Sequence, residues 1–465
     1  MSNRAPSLRR GVAAALMLAA TFPVVTSLHA QRAPARPAPP TASASSSAAS
    51  AAPADTGTVR FDVDGVRVIH RRTTTGLVVA NLYLLGGVRL VTPATAGIEP
   101  MLLEVTERGT VDFPGDSLRR AMARTGSAIG VVPHEDYTVY ALRTTRAQLA
   151  PAWRIYADRL LRPTLREADV TFVREQRVAG LAQVADDPDA LLETLADSVA
   201  FAGHPYGLSP VGTAASVARL TRDQLVAFQR ERMVRSRLLL VVVGDVDRPT
   251  LEGLVRRSFA TLPMGDYQWT LPEPTGALSG SGLHVVSQRL PTNYILGWWS
   301  GPPAASSDLP ALRVATAILS GRLFAEVRSR RNLTYAVEAR LRDRALVSGG
   351  LYVTTTRPEE TLRIMRDELR NLQTYTIKTE ALAPLIQQFL TEYFLDNETS
   401  GAQADFLARA ELYRGDFRAG DRFIAELQAV TGEDVRRVAQ QWMTRLRFTY
   451  LGNPQQVNRF TLLGF

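Results

Sequence analysis

The chain contains no cysteine. A disulfide framework, a thiolate metal site and a lipid-modified cysteine near the N-terminus are therefore all excluded. Histidine is also scarce, with five residues in 465. Beyond His29 these are His70, His134, His204 and His284, and none lies within one helical turn of another. Each reads as a loop or strand polar residue, and a metal site built from local histidine spacing has no candidates. No dense Lys/Arg run with interleaved aromatics occurs, so the formal charge of +9 describes a mildly basic surface and not a nucleic-acid footprint. After the first 30 residues no stretch is long and apolar enough to cross a membrane.

What is present begins with an export signal. Arg4, Arg9 and Arg10 precede the apolar run GVAAALMLAATFPVV, and SLHA ends at Ala30 as a small-residue cleavage site. The run is shorter than the ~20 residues that span a bilayer, which favours cleavage over anchoring. Residues 1–30 are thus expected to be a signal peptide and the product to be exported and periplasmic, with +6 on the mature chain. Residues 31–57 are almost entirely Ala, Pro and Ser, a composition that buries no core and reads as a disordered tether. The remainder, at 45% hydrophobic and 21% charged residues overall, is ordinary globular sequence. A Pro/Gly-rich stretch divides it, giving a domain over 58–262, a linker over 263–282 and a domain over 283–465.

The two domains repeat one another. LTRDQLVAFQRERMVRSRLLLVVVGD (220–245) lies over VTGEDVRRVAQQWMTRLRFTYLGN (430–453), pairing Thr221 with Thr431, Met233 with Met443 and Arg237 with Arg447 at an offset of 210. TTRAQLAPAWRIYADRL (144–160) lies over TTRPEETLRIMRDEL (355–369) at an offset of 211. Two independent matches at nearly one offset indicate two copies of one domain of about 200 residues. Strands such as 76–87 and 136–145 mix with helices such as 189–202 without strict alternation. The expected fold class is therefore α+β, each copy a mainly antiparallel sheet with helices on one face.

Residues 97–110, GIEPMLLEVTERGT, place Ile98, Met101, Leu102 and Val105 at i, i+3, i+4 and i+7, the stripe of a short buried helix. Pro100 is tolerated in its first turn. The opposite face carries Pro100, Leu103, Glu104 and Glu107. This segment resembles the zinc helix of the pitrilysin/insulinase peptidases, in the two-domain bacterial branch near the mitochondrial processing peptidase. DDPDALLETLADSVAFAGHPYGLSPVGT (186–213), the strand into VVVGDV and SGRLFAEVRSRRNLTYAVEARL (320–341) carry the same resemblance, which extends over nearly all of 58–465. It implies two homologous domains arranged as a clamshell. Active members bear H-x-x-E-H on this helix, because two histidines one turn apart hold one ion while the glutamate between them acts as general base. Here the histidine positions are Pro100 and Glu104, the base position is Leu103, and the third ligand position, on the helix before DDPD, is Gly180. All four positions are degenerate, so no catalytic residue and no metal is expected in this chain.

The second domain retains more. In RLFAEVRSRRNLTY, Arg328 and Tyr335 correspond to the family's Arg/Tyr pair, which the resemblance implies reaches the substrate and stabilises the oxyanion of the scissile carbonyl. The plainer reading makes Arg328 a helix-face ion pair and Tyr335 a half-buried strand residue, and Arg330 and Arg331 lie close enough for a one-turn error. Two departures bear on substrate binding. The Gly-rich turn before R-L-F is shortened to LSG (319–321), and the edge segment IGVVPHE (129–135) contains Pro133, which donates no ladder hydrogen bond. The resulting expectation is a non-catalytic subunit that binds peptide and completes the site of a zinc-bearing homologous partner, zinc being the partner's. The alternatives are a stand-alone peptide-binding or scaffold protein on the same fold and, third, an active peptidase with an unrecognised site.

Overall fold

The structure is a computed structural model that describes residues 57–273 and 280–465. The expected signal peptide, residues 31–56 of the tether and residues 274–279 of the linker lie outside the described residues.

In the first half, β1 (Thr58–Val63), β2 (Val66–Arg72), β3 (Leu77–Leu85), β4 (Ala128–Pro133), β5 (Tyr137–Thr145) and β6 (Leu238–Gly244) form a six-stranded sheet in the order β1-β2-β6-β3-β5-β4. Its helices are α1 (Ile98–Val105), α2 (Asp116–Thr125), α3 (Leu149–Leu161), α4 (Glu167–Ala185), α5 (Pro188–Ala200), α6 (Ala214–Val217), α7 (Arg222–Arg232) and α8 (Arg248–Arg256). In the second half, β7 (Gly282–Ser287), β8 (Asn293–Pro303), β9 (Val337–Arg342), β10 (Leu346–Thr355) and β11 (Arg447–Gly452) form a five-stranded sheet in the order β7-β11-β8-β10-β9. Its helices are α9 (Leu309–Leu323), α10 (Pro358–Thr374), α11 (Thr379–Asp396), α12 (Ser400–Arg414), α13 (Ala419–Gln428), α14 (Gly432–Trp442) and α15 (Arg459–Leu463).

Without β1 the two strand orders are the same. In each sheet one pair is parallel, β2 with β6 and β7 with β11, and the remaining pairs are antiparallel. The sequence repeat is thus a structural one. Thr221 and Thr431 each open their helix, α7 and α14, with a reciprocal capping box to Gln224 and Asp434. Each helix then leads to an apolar strand ending in Gly244 or Gly452. A side chain at Gly244 would place its Cβ 2.5 Å from the Leu77 carbonyl oxygen, so only glycine lets the two strands approach there.

Helices cover both faces of each sheet, which corrects the one-face expectation. The additional cover is exchanged between halves: α12 packs on β3 and β6, and α5 packs on β8 and β11. Leu407, Ala408 and Leu412 of α12 join Tyr83, Val139 and Val241 in one cluster, and Leu192 and Ala196 of α5 join Leu296, Trp298 and Leu451 in another. Two-sided burial is why LLLVVVG in β6 is buried at every position instead of alternating. The junction is also polar. Buried Asp136 accepts hydrogen bonds from the Tyr206 hydroxyl of its own half, and from the Tyr413 hydroxyl and the Ala345 amide of the other, the latter two at 2.9 Å.

Candidate functional site

In α1, Ile98, Met101, Leu102 and Val105 are buried as their spacing predicts. The opposite face is only partly solvated: Pro100 and Leu103 are buried, Glu104 is half-buried and Glu107 is exposed. A buried arginine pins each end of the helix. Glu99, in the first turn, accepts from Arg237 Nη2 and Thr138 Oγ1, both at 2.7 Å. The same guanidinium donates to the carbonyls of Leu85 at 2.6 Å and Arg232 at 2.8 Å. At the other end Arg159 donates to Thr106 Oγ1 at 3.1 Å, the Leu103 carbonyl at 3.3 Å and Glu107 at 3.0 Å, satisfying acceptors that a helix C-terminus leaves open. Sequence reasoning missed Glu99 and Arg159. The one signal for Arg237 was its recurrence as Arg447.

The residues at the positions to which the resemblance assigns zinc do not fit that ion. Glu104 is engaged by the Arg177 guanidinium from α4, which also donates to the Val211 carbonyl at 2.8 Å. Arg177 stands one turn before Gly180, so a cation from α4 faces the Glu104 carboxylate. Burial pushes the Glu104 carboxyl above its usual range, Arg177 pulls it back down and Glu107 adds a smaller push upward. The histidines sit on separate elements: His70 in β2, His134 between β4 and β5, His204 capping the turn at Pro205–Gly207, and His284 in β7. Among the described residues no group of three or more His, Asp or Glu is placed to hold a metal ion.

Arg328 and Tyr335 are brought together. After Leu323, helix α9 widens into a π-helical turn over Phe324–Arg330, a geometry often found at functional sites. Val327 is buried and anchors the turn. The Arg328 guanidinium carbon lies 5.0 Å from the ring centroids of both Phe324 and Tyr335, and Tyr335 is 83% exposed. The expected helix-face ion pair is not formed. The neighbouring acid, Glu326, is taken by Arg330 and by Arg331, the latter at 2.6 Å. Among the described residues Arg328 has no carboxylate partner, so its N–H edge is available. Tyr335 precedes β9 and is not half-buried in it. In the first half β4 is the outer strand, and Pro133 lies at its end opposite Thr138.

These features define a duplicated α+β fold in which an ion pair joins α1 to α4 while an arginine–tyrosine cluster stays open. Residues 219–389 match the family model described as "Peptidase M16 inactive domain". That span begins after α1 and α4, so the degenerate helix is judged from its own residues. An uncharacterized zinc protease of Mycobacterium tuberculosis is 28% identical over 361 residues, covering 75% of this chain and 82% of the relative. Cytochrome b-c1 complex subunit 1 of Homo sapiens is 22% identical over 260 residues, covering 55% of this chain and 54% of that protein. A protease from Helicobacter pylori superposes with a TM-score of 0.78 at 17% identity, covering 85% of this chain and 99% of that one. The chain is thus similar in sequence to an M16 inactive domain and to uncharacterized zinc proteases, and it shares its fold with solved M16-type structures. Among the described residues no helix is long and apolar enough to cross a membrane.

Proposed function

We propose that the chain is the non-catalytic subunit of an exported zinc metallopeptidase. It binds peptide substrate, and Arg328 and Tyr335 donate hydrogen bonds to the scissile carbonyl oxygen in a site whose zinc is held by a homologous partner. The observation that carries the reading is the Arg328 guanidinium held between two rings with no acid on it. Stacking fixes the guanidinium plane while leaving its in-plane N–H groups free, and preorganised donors of this kind act most strongly on an oxygen gaining negative charge. The exposed Tyr335 hydroxyl is a second, neutral donor. The partner's zinc would supply Lewis acidity and an activated water. Support for export comes from the basic-then-apolar N-terminal residues. Support for a separate zinc-bearing subunit comes from Pro100, Leu103, Glu104 and Gly180, with Glu104 already engaged by Arg177.

The test is a complex with a zinc-bearing homologue, sought first in the adjacent open reading frame. Arg328→Ala and Tyr335→Phe should each assemble normally, since substitutions at partly exposed polar residues cost under ~1 kcal/mol. Turnover should fall by about 10²–10³, with the charged donor at the upper end. Wild-type turnover in both variants would make the pair structural. One observation favours a second reading, a scaffold protein on the same fold: the similarity to cytochrome b-c1 complex subunit 1. Stable assembly with no peptidase partner, unaffected by either substitution, would support it.

A further inference from the structure

The second half contains a groove that the Arg328 cluster does not use. It runs between α9 and α11, which follow α1 and α4 of the first half at an offset of about 211 residues, the offset of the repeat. There Glu104 and Arg177 bridge the two helices. Here the corresponding space is open. A cavity of about 390 Å³ lies at one end and another of about 140 Å³ follows it, and the two share Phe389 and Glu392 in their walls. The second cavity reaches Ala317 and Gly321 of α9, and a Cβ at Gly321 would have nothing within 4 Å. Ala317, Gly321 and Phe324 form an exposed line along the helix, with half-buried Arg313 and Arg328 at its two ends. From Arg313 to Arg328 the helix rises about 20 Å, the length of roughly six residues of extended chain. Helix α11 buries Leu382, Ile386 and Leu390, while exposed Leu385 and half-buried Phe389 line the groove.

The larger cavity has a chemical preference. The rings of Phe406 and Phe423 lie 5.4 and 5.3 Å from that of Tyr393, forming an aromatic wall. Its three arginines are already matched. Arg313 pairs with Asp343 at 2.6 Å, Arg414 with Glu426 at 2.6 Å, and Arg409 lies 4.0 Å from Asp343. Asp405 also lines the cavity and balances the remaining arginine charge, while accepting from Asn81 at 3.2 Å and from the Tyr83 hydroxyl. Glu392 and Asp396 remain, one turn apart on α11, and among the described residues neither meets a cation. Two surplus carboxylates beside aromatic rings suit a cation on an aliphatic stem.

We propose that the α9–α11 groove binds an extended peptide segment running away from Arg328 and Tyr335, and that the larger cavity accepts an arginine or lysine side chain of that peptide against Glu392 and Asp396. The inference rests on the peptide-binding part of the function proposed above. The experiment uses the full chain alone and two fluorescent N-acetylated heptapeptides that differ only in one arginine replaced by its neutral isostere citrulline, with binding read by anisotropy. The arginine peptide should bind about fivefold or more tightly. The Glu392→Gln/Asp396→Asn double variant should abolish that preference while leaving citrulline-peptide binding unchanged. Gly321→Trp, which fills the second cavity, should weaken both peptides about tenfold or more. Equal binding of the two peptides to the wild type, or a preference that survives the double substitution, overturns the pocket and leaves peptide binding standing. Failure of both peptides to bind overturns the groove and the peptide-binding reading together. The Arg328 and Tyr335 turnover measurement in the complex reports separately on oxyanion stabilisation.

Discussion

Arg237 and Glu99 are each almost wholly withdrawn from water, and every charged atom they share is met by a partner. A pair of this kind contributes little by forming but costs a great deal when halved, because the survivor is left charged in a low-dielectric interior. Arg237→Ala should lower unfolding stability by about 3–5 kcal/mol, whereas the double replacement Glu99→Leu/Arg237→Met should recover most of the loss. Urea unfolding of the three proteins checks this, and equal destabilisation by the single and double variants would contradict it. The prediction follows from burial that spacing does not reveal. Glu99 lies in an acidic first helical turn, an ordinary exposed placement, and nothing local indicates that β5 and the segment before β6 close over it. Arg328 was legible for the opposite reason: its neighbours in RLFAEVRSRRNLTY form a recognisable stretch. Its freedom from an ion pair was not legible, since one acid, Glu326, and three arginines, Arg328, Arg330 and Arg331, within six residues allow several pairings. Nearly all the cations are arginine, Lys378 being the single lysine. The stacked and forked contacts described above therefore rely on a planar group that lysine does not replace.

Helix α5 shows what a single element can hide. Its Asp189, Glu193 and Asp197 fall at i, i+4 and i+8, which alone reads as a solvated acidic stripe. In the structure that stripe is zipped to the other half's sheet. Arg342 meets Asp197 at 2.6 Å and also Glu193, Arg340 meets Glu193, and the Tyr352 hydroxyl meets Asp189. Arg342 also stacks at 4.3 Å on Trp298. Burial pushes the Asp197 carboxyl above its usual range while Arg342 and Arg344 pull it down, so its ionised form depends on those arginines. Arg342→Ala should cost about 2–3 kcal/mol, through the Asp197 carboxylate left without its ion-pair partner while Glu193 keeps Arg340. The same substitution at exposed Arg119 of α2 should cost under ~0.5 kcal/mol. Comparable losses at the two positions in a denaturant series would argue against the zipper. The apolar spacing of α1 was readable because the residues that form it lie within two turns of one helix. The partners of α5 lie about 150 residues away in sequence, and no local pattern encodes them.

At the scale of the whole molecule, the exchange of α5 and α12 makes each sheet dependent on the other half. The described residues of both halves belong to one compact unit. Linker residues join the junction as well, Trp269 donating to the Leu412 carbonyl at 2.8 Å and carrying Arg89 over its ring at 4.5 Å. A single proteolytic cut between 270 and 282 should therefore yield two fragments of roughly 200 residues on a denaturing gel that still elute together under native conditions. Calorimetry of the uncut chain should show one cooperative transition. Separate elution of the fragments, or two resolved transitions, would mean that the halves are independent domains.

What the sequence by itself determined was whatever depends on residue identity and short-range period: the absence of cysteine chemistry, the duplicated α+β plan, the apolar stripe of α1, and the presence of Pro100, Leu103, Glu104 and Gly180 where the family resemblance would put zinc-site residues. Side-chain chemistry and periodicity are properties of the chain, so they are visible before it folds. Only the tertiary structure decided which faces are covered twice, which acid each arginine meets, and that the space bridged between α1 and α4 remains an open groove between α9 and α11. These outcomes depend on the approach of segments one to three hundred residues apart. That approach is set by the packing of two sheets and their exchanged helices, an energy summed over many weak contacts that no short stretch of sequence contains.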